Sequence, residues 1–192
     1  DATDFSNDEI DSNCDDDPDT IYELEAAEIS ITSSLSAQAL VGSSTQMCDL
    51  DEDGFDDVVI GAPFDNSYTG RVGIWYGLDH SAWTAEMAMN NADTLITGDS
   101  YGFLGFSVLC DDFNGDGHQD IVMQRGEINY SIYITEWSLL FFYGDGSGFR
   151  SSLDEGDADA ELIYTLGVPA EIPSVYSNEA SSADLDGDGA AE

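Results

Sequence analysis

The chain has no lysine, and arginine occupies three of its 192 positions, Arg71, Arg125 and Arg150, against 41 acidic residues. The formal net charge is −38. A field of that sign repels phosphate backbones and anionic lipid surfaces, so nucleic acid and charged membrane surfaces are poor partners. Long apolar runs are missing as well. The longest candidate, Ile132–Tyr143, is interrupted by Thr135, Glu136 and Ser138, and no membrane insertion is expected of this segment. Nor does a sustained helical period appear; Thr84–Asn91 is the one stretch where a short helical turn is expected. Cysteine is scarce. Cys14, Cys48 and Cys110 make an odd count, so at least one thiol lacks a partner within the chain. Their spacing is not that of a zinc or redox motif, and for Cys48 and Cys110 buried small residues at strand ends are favoured over a disulfide.

What is present is globular composition, 42% hydrophobic and 11% aromatic, enough for one domain with a real core. One acidic pattern recurs in one register. The first copy is Asp49-Leu50-Asp51-Glu52-Asp53-Gly54-Phe55-Asp56-Asp57, and the second is Asp112-Phe113-Asn114-Gly115-Asp116-Gly117-His118-Gln119-Asp120. A third, Asp184-Leu185-Asp186-Gly187-Asp188-Gly189-Ala190-Ala191-Glu192, carries an acid at its ninth position. Oxygen-bearing side chains at positions 1, 3, 5 and 9 with glycine at 6 are what a hard cation needs from a short loop. Calcium takes roughly six to eight oxygens, so the segment must wrap around one point, and the glycine lets the backbone turn. Position 7 holds Phe55, His118 and Ala190, which share no side-chain chemistry; the ligand expected there is the backbone carbonyl. His118 is accordingly read as an exposed side chain with a ligating carbonyl, not as a catalytic base.

A helix-loop-helix calcium site needs a bidentate glutamate at position 12. Here that position is Ile60 or Met123, inside the runs Val58-Val59-Ile60 and Ile121-Val122-Met123. The loop therefore feeds a strand. The acids also suggest a pair for glycoside cleavage, but they are committed to the cation pattern. No nucleophile, base and orienting group stand at a recognisable spacing, so no catalysis is expected of these residues. Three divalent ions would offset only six of the negative charges, and the rest imply a solvated acidic surface suited to a saline medium.

The repetition extends past the loops. Sixty-three residues separate Asp49 from Asp112 and 72 separate Asp112 from Asp184, periods that suit four-stranded units. Gly42 and Gly105 each stand seven residues before their loop, and Ser177 holds that place in the third copy. After each loop comes a second apolar stretch ending in Tyr-Gly, at Tyr76-Gly77 and Tyr143-Gly144, 19 and 23 residues beyond the ninth position. A more polar element precedes each glycine, at Glu28–Thr32, Thr94–Thr97 and Glu161–Tyr164, as edge strands should. Each unit reads as strand, acidic loop, strand, turn, strand, long loop, edge strand. Four-stranded antiparallel sheets repeated around an axis make an all-β propeller.

These residues resemble the FG-GAP repeats of the propeller head of integrin α subunits and of many bacterial surface proteins. The likeness rests on Leu104-Gly105-Phe106-Ser107-Val108, on Asp57-Val58-Val59-Ile60-Gly61-Ala62-Pro63 and on the loops between them, and covers residues 28–192. Gly61-Ala62-Pro63 is replaced by Gln124-Arg125-Gly126 in the second unit, which affects turn shape. The resemblance implies calcium loops joining the first and second strands of each blade, about two full blades with the start of a third, and ligands on the opposite side of the ring. Propellers close with about four to eight blades, so a fragment is expected, the remaining blades lying in a longer chain; it begins at Asp1 and ends inside a motif. Residues 1–27, with Asp11-Ser12-Asn13-Cys14-Asp15-Asp16-Asp17-Pro18-Asp19, read as an acidic linker or a degenerate metal-binding segment.

The expected role is an extracellular or cell-surface calcium-binding module for adhesion or recognition of a protein or carbohydrate ligand. The alternative is a noncatalytic propeller of a secreted enzyme whose catalytic domain lies elsewhere. Trp75 and Trp137 belong in the core; Trp83 is the better surface candidate for a carbohydrate platform.

Overall fold

The computed structural model describes residues 30–33, 39–77, 86–129, 133–164, 170–171, 182 and 190–191. Residues 1–27, Trp83 and all of the third acidic loop except Ala190 and Ala191 lie outside the described residues.

The β-branched and aromatic runs form the predicted strands. The first blade is an antiparallel sheet of β2 (Ser44–Cys48), β3 (Asp57–Ala62), β4 (Arg71–Trp75) and β6 (Thr94–Thr97). The second repeats that order with β7 (Val108–Asp111), β8 (Asp120–Asn129), β9 (Tyr133–Phe142) and β11 (Ala160–Tyr164). A two-residue strand, β12 (Ala170–Glu171), pairs with the start of β9. The arrangement is that of consecutive β-propeller blades.

One feature goes beyond a plain four-stranded unit. In each long connection before the fourth strand lies a three-residue strand, β5 (Glu86–Ala88) or β10 (Ser152–Asp154), followed by a 3-10 turn at Met89–Asn91 or Glu155–Asp157. β10 pairs in parallel with β6 of the first blade, and β5 pairs likewise with β1 (Ser30–Thr32). The outer strand of one blade is thus capped by the next, which removes an exposed edge. Three residues are too few for an alternating pattern to register in sequence; the expected helical turn in Thr84–Asn91 is this strand and its 3-10 turn.

Both faces of the first blade are buried. Val59, Val72, Ile74 and Ile96 pack with Leu104, Val108, Ile121, Met123, Leu140 and Phe142 across the junction with the second blade. Ile60, Ala62, Trp75 and Met89 form a separate cluster on the other face. Trp75 and Trp137 are both buried, as expected of core residues. Gly61 shows why the junction is tight: a Cβ there would sit 2.1 Å from the Gly105 carbonyl oxygen of the next blade.

Cys48 and Cys110, favoured by sequence as unpaired buried residues, form a disulfide with a Cα–Cα distance of 6.3 Å. The reason is topological. β2 and β7 are the first strands of neighbouring blades, and a second tie, Val108 N–H donating to Ser44 Oγ at 2.8 Å, fixes them side by side. Equal positions in successive units therefore become neighbours.

All three arginines are engaged in ion pairs. Arg71, 4% exposed, pairs with the buried Asp65, which also accepts from Ser33 Oγ at 2.9 Å. Arg125 pairs with Glu155 at 2.8 Å and Glu161 at 3.3 Å, while Glu155 accepts the Asp99 N–H across the junction at 3.0 Å. Arg150 pairs with Asp157.

The strand directions define two ends. β2 and β7 run into the acidic loops at one end; the β3–β4 turn and the segments leading into β2 and β7 lie at the other. The departure from Gly-Ala-Pro takes effect at that second end. Pro63 removes a donor and stops the β3–β4 ladder, whereas β8 and β9 pair on through Asn129 and Tyr133.

Candidate metal centre

The first loop connects β2 to β3 and gathers carboxylates of Asp49, Asp51 and Asp57, one oxygen of each lying within 4.8 Å of the others. Backbone donors shape it. Asp49 accepts from Asp53 N–H at 3.1 Å and Gly54 N–H at 3.0 Å, and Asp53 accepts from Phe55 N–H at 2.9 Å. The second loop repeats these bonds: Asp112 accepts from Asp116 N–H at 3.1 Å and Gly117 N–H at 2.8 Å, and Asp116 accepts from His118 N–H at 2.9 Å. Asn114 Oδ1 adds the Asp116 N–H at 2.8 Å. Position 6 is left-handed in both, with φ 94° at Gly54 and 92° at Gly117.

Position 4 is left-handed too, a feature sequence reading passed over. Glu52 has φ 57° and Gly115 φ 76°. The sign was there in the glycines at 115 and 187.

The ninth position is the anchor. Asp57 is fully buried and accepts from Leu50 N–H and Gly77 N–H, each at 2.7 Å. Asp120, also fully buried, accepts from Phe113 N–H at 2.9 Å and Gly144 N–H at 2.8 Å. One carboxylate thus joins the start of its loop to the Tyr-Gly at the end of the third strand. Glycine is needed there because a Cβ would lie 2.4 Å from the Asp56 carbonyl oxygen at Gly77 and 2.2 Å from the Gln119 carbonyl oxygen at Gly144. Burial pushes the Asp57 carboxyl up to about 6 and raises Asp120, against the lowering effect of the backbone donors. Negative neighbours add to the rise, Asp51 and Asp49 at the first and Asp116 at the second. A buried anion beside like charges is stabilised by a cation, so the electrostatics favour one.

The set consists of hard oxygens, as calcium requires, and three carboxylates leave the rest of a shell of roughly six to eight oxygens to backbone and water. The structure groups Asp49, Asp51 and Asp57 most tightly; Asp53 and Asp116 stand at position 5 accepting loop N–H groups, and Phe55 and His118 follow at position 7. Asp184, Asp186, Asp188 and Glu192 lie outside the described residues. Ala191 N–H donates to the Asp112 carbonyl at 2.7 Å, so the end of the third loop touches the start of the second. The first and second loops also meet, through His118 Nδ1 and Glu52 Oε1 at 2.5 Å. That hydrogen bond raises the His118 pKa, with the charges of Glu52, Asp116 and Asp145 in support.

Comparison with known proteins agrees with this geometry. Residues 41–75 match the FG-GAP repeat. The match runs from Val41-Gly42 through the first acidic loop and Gly61-Ala62-Pro63 to Trp75, the end of β4. Phosphatidylinositol-glycan-specific phospholipase D of Mus musculus is 31% identical over 86 residues, covering 43% of this chain and 10% of that protein. The Rattus norvegicus and Bos taurus proteins of the same name match with the same identity and coverage. The chain spans about a tenth of the length of these relatives. Among the described residues no helix is long and apolar enough to cross a membrane.

Proposed function

We propose, from the premise that residues 41–75 are an FG-GAP repeat within a β-propeller, that the chain is a calcium-stiffened recognition module acting outside the cell or at its surface. The observation that carries this reading is the duplicated anchor. Asp57 and Asp120 each tie a carboxylate loop to the end of the third strand of its blade, so a cation held by the loop acts on the whole sheet.

The residues that hold the ion are Asp49, Asp51, Asp53, the Phe55 carbonyl and Asp57 in the first loop, and Asp112, Asn114, Asp116, the His118 carbonyl and Asp120 in the second. A third site is formed by Asp184, Asp186, Asp188, the Ala190 carbonyl and Glu192. Bound calcium would supply positive charge and a centre for the loop oxygens to coordinate. It relieves the repulsion among six acids in nine residues of the first loop. At free calcium tenfold above the dissociation constant, each site contributes about 1.4 kcal/mol of stability.

Extracellular placement is supported by the Cys48–Cys110 disulfide, since such bonds persist in oxidising compartments. The second reading, a noncatalytic propeller within a larger secreted enzyme, is supported by the match to a phospholipase D over a tenth of its length. In either case the chain positions and binds; it does not catalyse. Substituting Asp53→Ala or Asp116→Ala should remove one calcium and leave the other sites filled. Unchanged stoichiometry in both variants sinks the assignment.

A further inference from the structure

The end of the molecule away from the acidic loops is unusual in backbone and in chemistry. Seven non-glycine residues among those described have positive φ, and six of them, Leu40, Asn66, Ser67, Tyr68, Tyr101 and Phe103, lie at this end. Left-handed backbone in such residues costs free energy and collects at functional sites. Here it turns two tyrosines outward. Tyr68, in the β3–β4 turn, and Tyr101, in the segment before β7, are 50% and 57% exposed. Their rings are near-parallel, at an interplanar angle of 10° with centroids 6.4 Å apart.

The pair is held from beneath. Tyr68 packs on Phe64 and Phe103, each 5.9 Å away between centroids, and those rings continue through Phe106 to the buried Trp137. The backbones are tied as well, Phe103 N–H donating to the Tyr68 carbonyl at 3.2 Å and Leu104 N–H to the Thr69 carbonyl at 3.1 Å. Gly70 makes this possible: a Cβ there would lie 2.1 Å from the Leu104 nitrogen. An exposed aromatic pair braced in this way is prepared before any ligand arrives, which lowers the ordering cost of binding.

Charge decides the ligand class. In a chain of net charge −38, residues 39–43, 63–70 and 98–107 hold only two charged residues. Asp65 is buried against Arg71, which leaves Asp99. A cationic peptide would gain more at the opposite end, and an anionic ligand finds no cation here because all three arginines are engaged in ion pairs. The exposed neighbours of the tyrosines are an amide and hydroxyls, Asn66, Ser67 and Ser100, with the single carboxylate of Asp99. Flat aromatic faces beside neutral hydrogen-bonding groups suit the apolar face and hydroxyl rim of a sugar ring.

We propose that Tyr68 and Tyr101 form the platform of a binding site for neutral carbohydrate, with Asn66 and Ser67 supplying polar contacts. This rests on the recognition role proposed above and names its ligand class. The test is calorimetric titration of the calcium-loaded chain with neutral hexasaccharides of glucose, N-acetylglucosamine, mannose and galactose, with an oligolysine peptide alongside. At least one hexasaccharide is expected to bind and oligolysine not to compete with it. Tyr68→Ala and Tyr101→Ala should each weaken binding tenfold or more. Tyr68→Phe and Tyr101→Phe, which keep the ring faces, should hold it within threefold. Calcium stoichiometry and melting temperature are read in the same samples, so misfolding and failure of the calcium reading are seen separately. A calcium-loaded, folded chain that binds none of the four sugars, or that binds one equally well after both alanine substitutions, overturns the proposal.

Discussion

The two ends of these blades solve opposite problems. At one end, six acids crowd nine residues, and glycines or Glu52 supply the turns. Cation-free, that end stores repulsion around the buried Asp57 and Asp120. At the other end the segments around Tyr68 and Tyr101 carry two charged residues, Asp65 and Asp99, and the turns are made by residues with side chains, at backbone angles that glycine would adopt more easily. On the proposed reading the acidic end would gain order from an added ion. The aromatic end is ordered by packing already. Stiffness in one region and presentation in the other can thus be altered independently.

That separation can be broken most severely at the disulfide. Replacing Cys48 and Cys110 together by alanine removes a link spanning 62 residues and should cost about 2–4 kcal/mol in denaturant unfolding. An unchanged midpoint would show that β2 and β7 are held by packing alone. Next comes the anchor. Asp57→Ala leaves the Leu50 and Gly77 N–H groups without their acceptor and should lose about 2 kcal/mol even in chelator. Asp53→Ala, at an exposed position, should lose the ion with far less effect on the cation-free protein. Equal losses for the two would contradict the distinction between anchor and ligand.

A smaller effect concerns pH. The folded-state pKa of Asp57, about 6, lies above its ordinary value of 3.8. The folded protein therefore holds this proton more tightly than the unfolded chain does. Its contribution to stability is fully present below about pH 4 and is lost as pH rises through about 6. Melting temperatures in chelator across that window should decline with rising pH, and Asp57→Asn should flatten the decline. Smaller still, Tyr76→Phe should cost about 1 kcal/mol, because its hydroxyl accepts the Phe149 N–H at 2.5 Å across the junction and bonds Thr94 Oγ1 of its own blade at 3.2 Å. At the aromatic end, Tyr68→Ala, which gives up its contacts with Phe64 and Phe103, should cost about 1 kcal/mol.

How legible all this was in sequence follows physical scale. Loops and strands were readable because their ligand spacing and apolar runs are local. The first three strands of each blade and the fourth at 94–97 and 161–164 stand where the patterns put them. The Tyr-Gly spacing was visible, but not the need for its glycine, since the approach of Gly77 to Asp56 and Asp57 joins segments distant in sequence. The Cys48–Cys110 pairing was hidden for the same reason: it depends on which strands of neighbouring blades face one another. β5 and β10 were missed because a three-residue strand has no period. The stacked tyrosines arise from two segments brought together by the blade, and neither segment announces the other.

Calcium held by the acidic loops should stiffen the blades. Calorimetric titration of the chelator-stripped chain, alongside thermal melting with magnesium and sodium chloride as controls, tests it most directly. Two or three sites per chain and a rise in melting temperature specific to calcium are expected. Stabilisation by sodium chloride alone, without stoichiometric calcium, would contradict it and leave the acids as a salt-adapted surface.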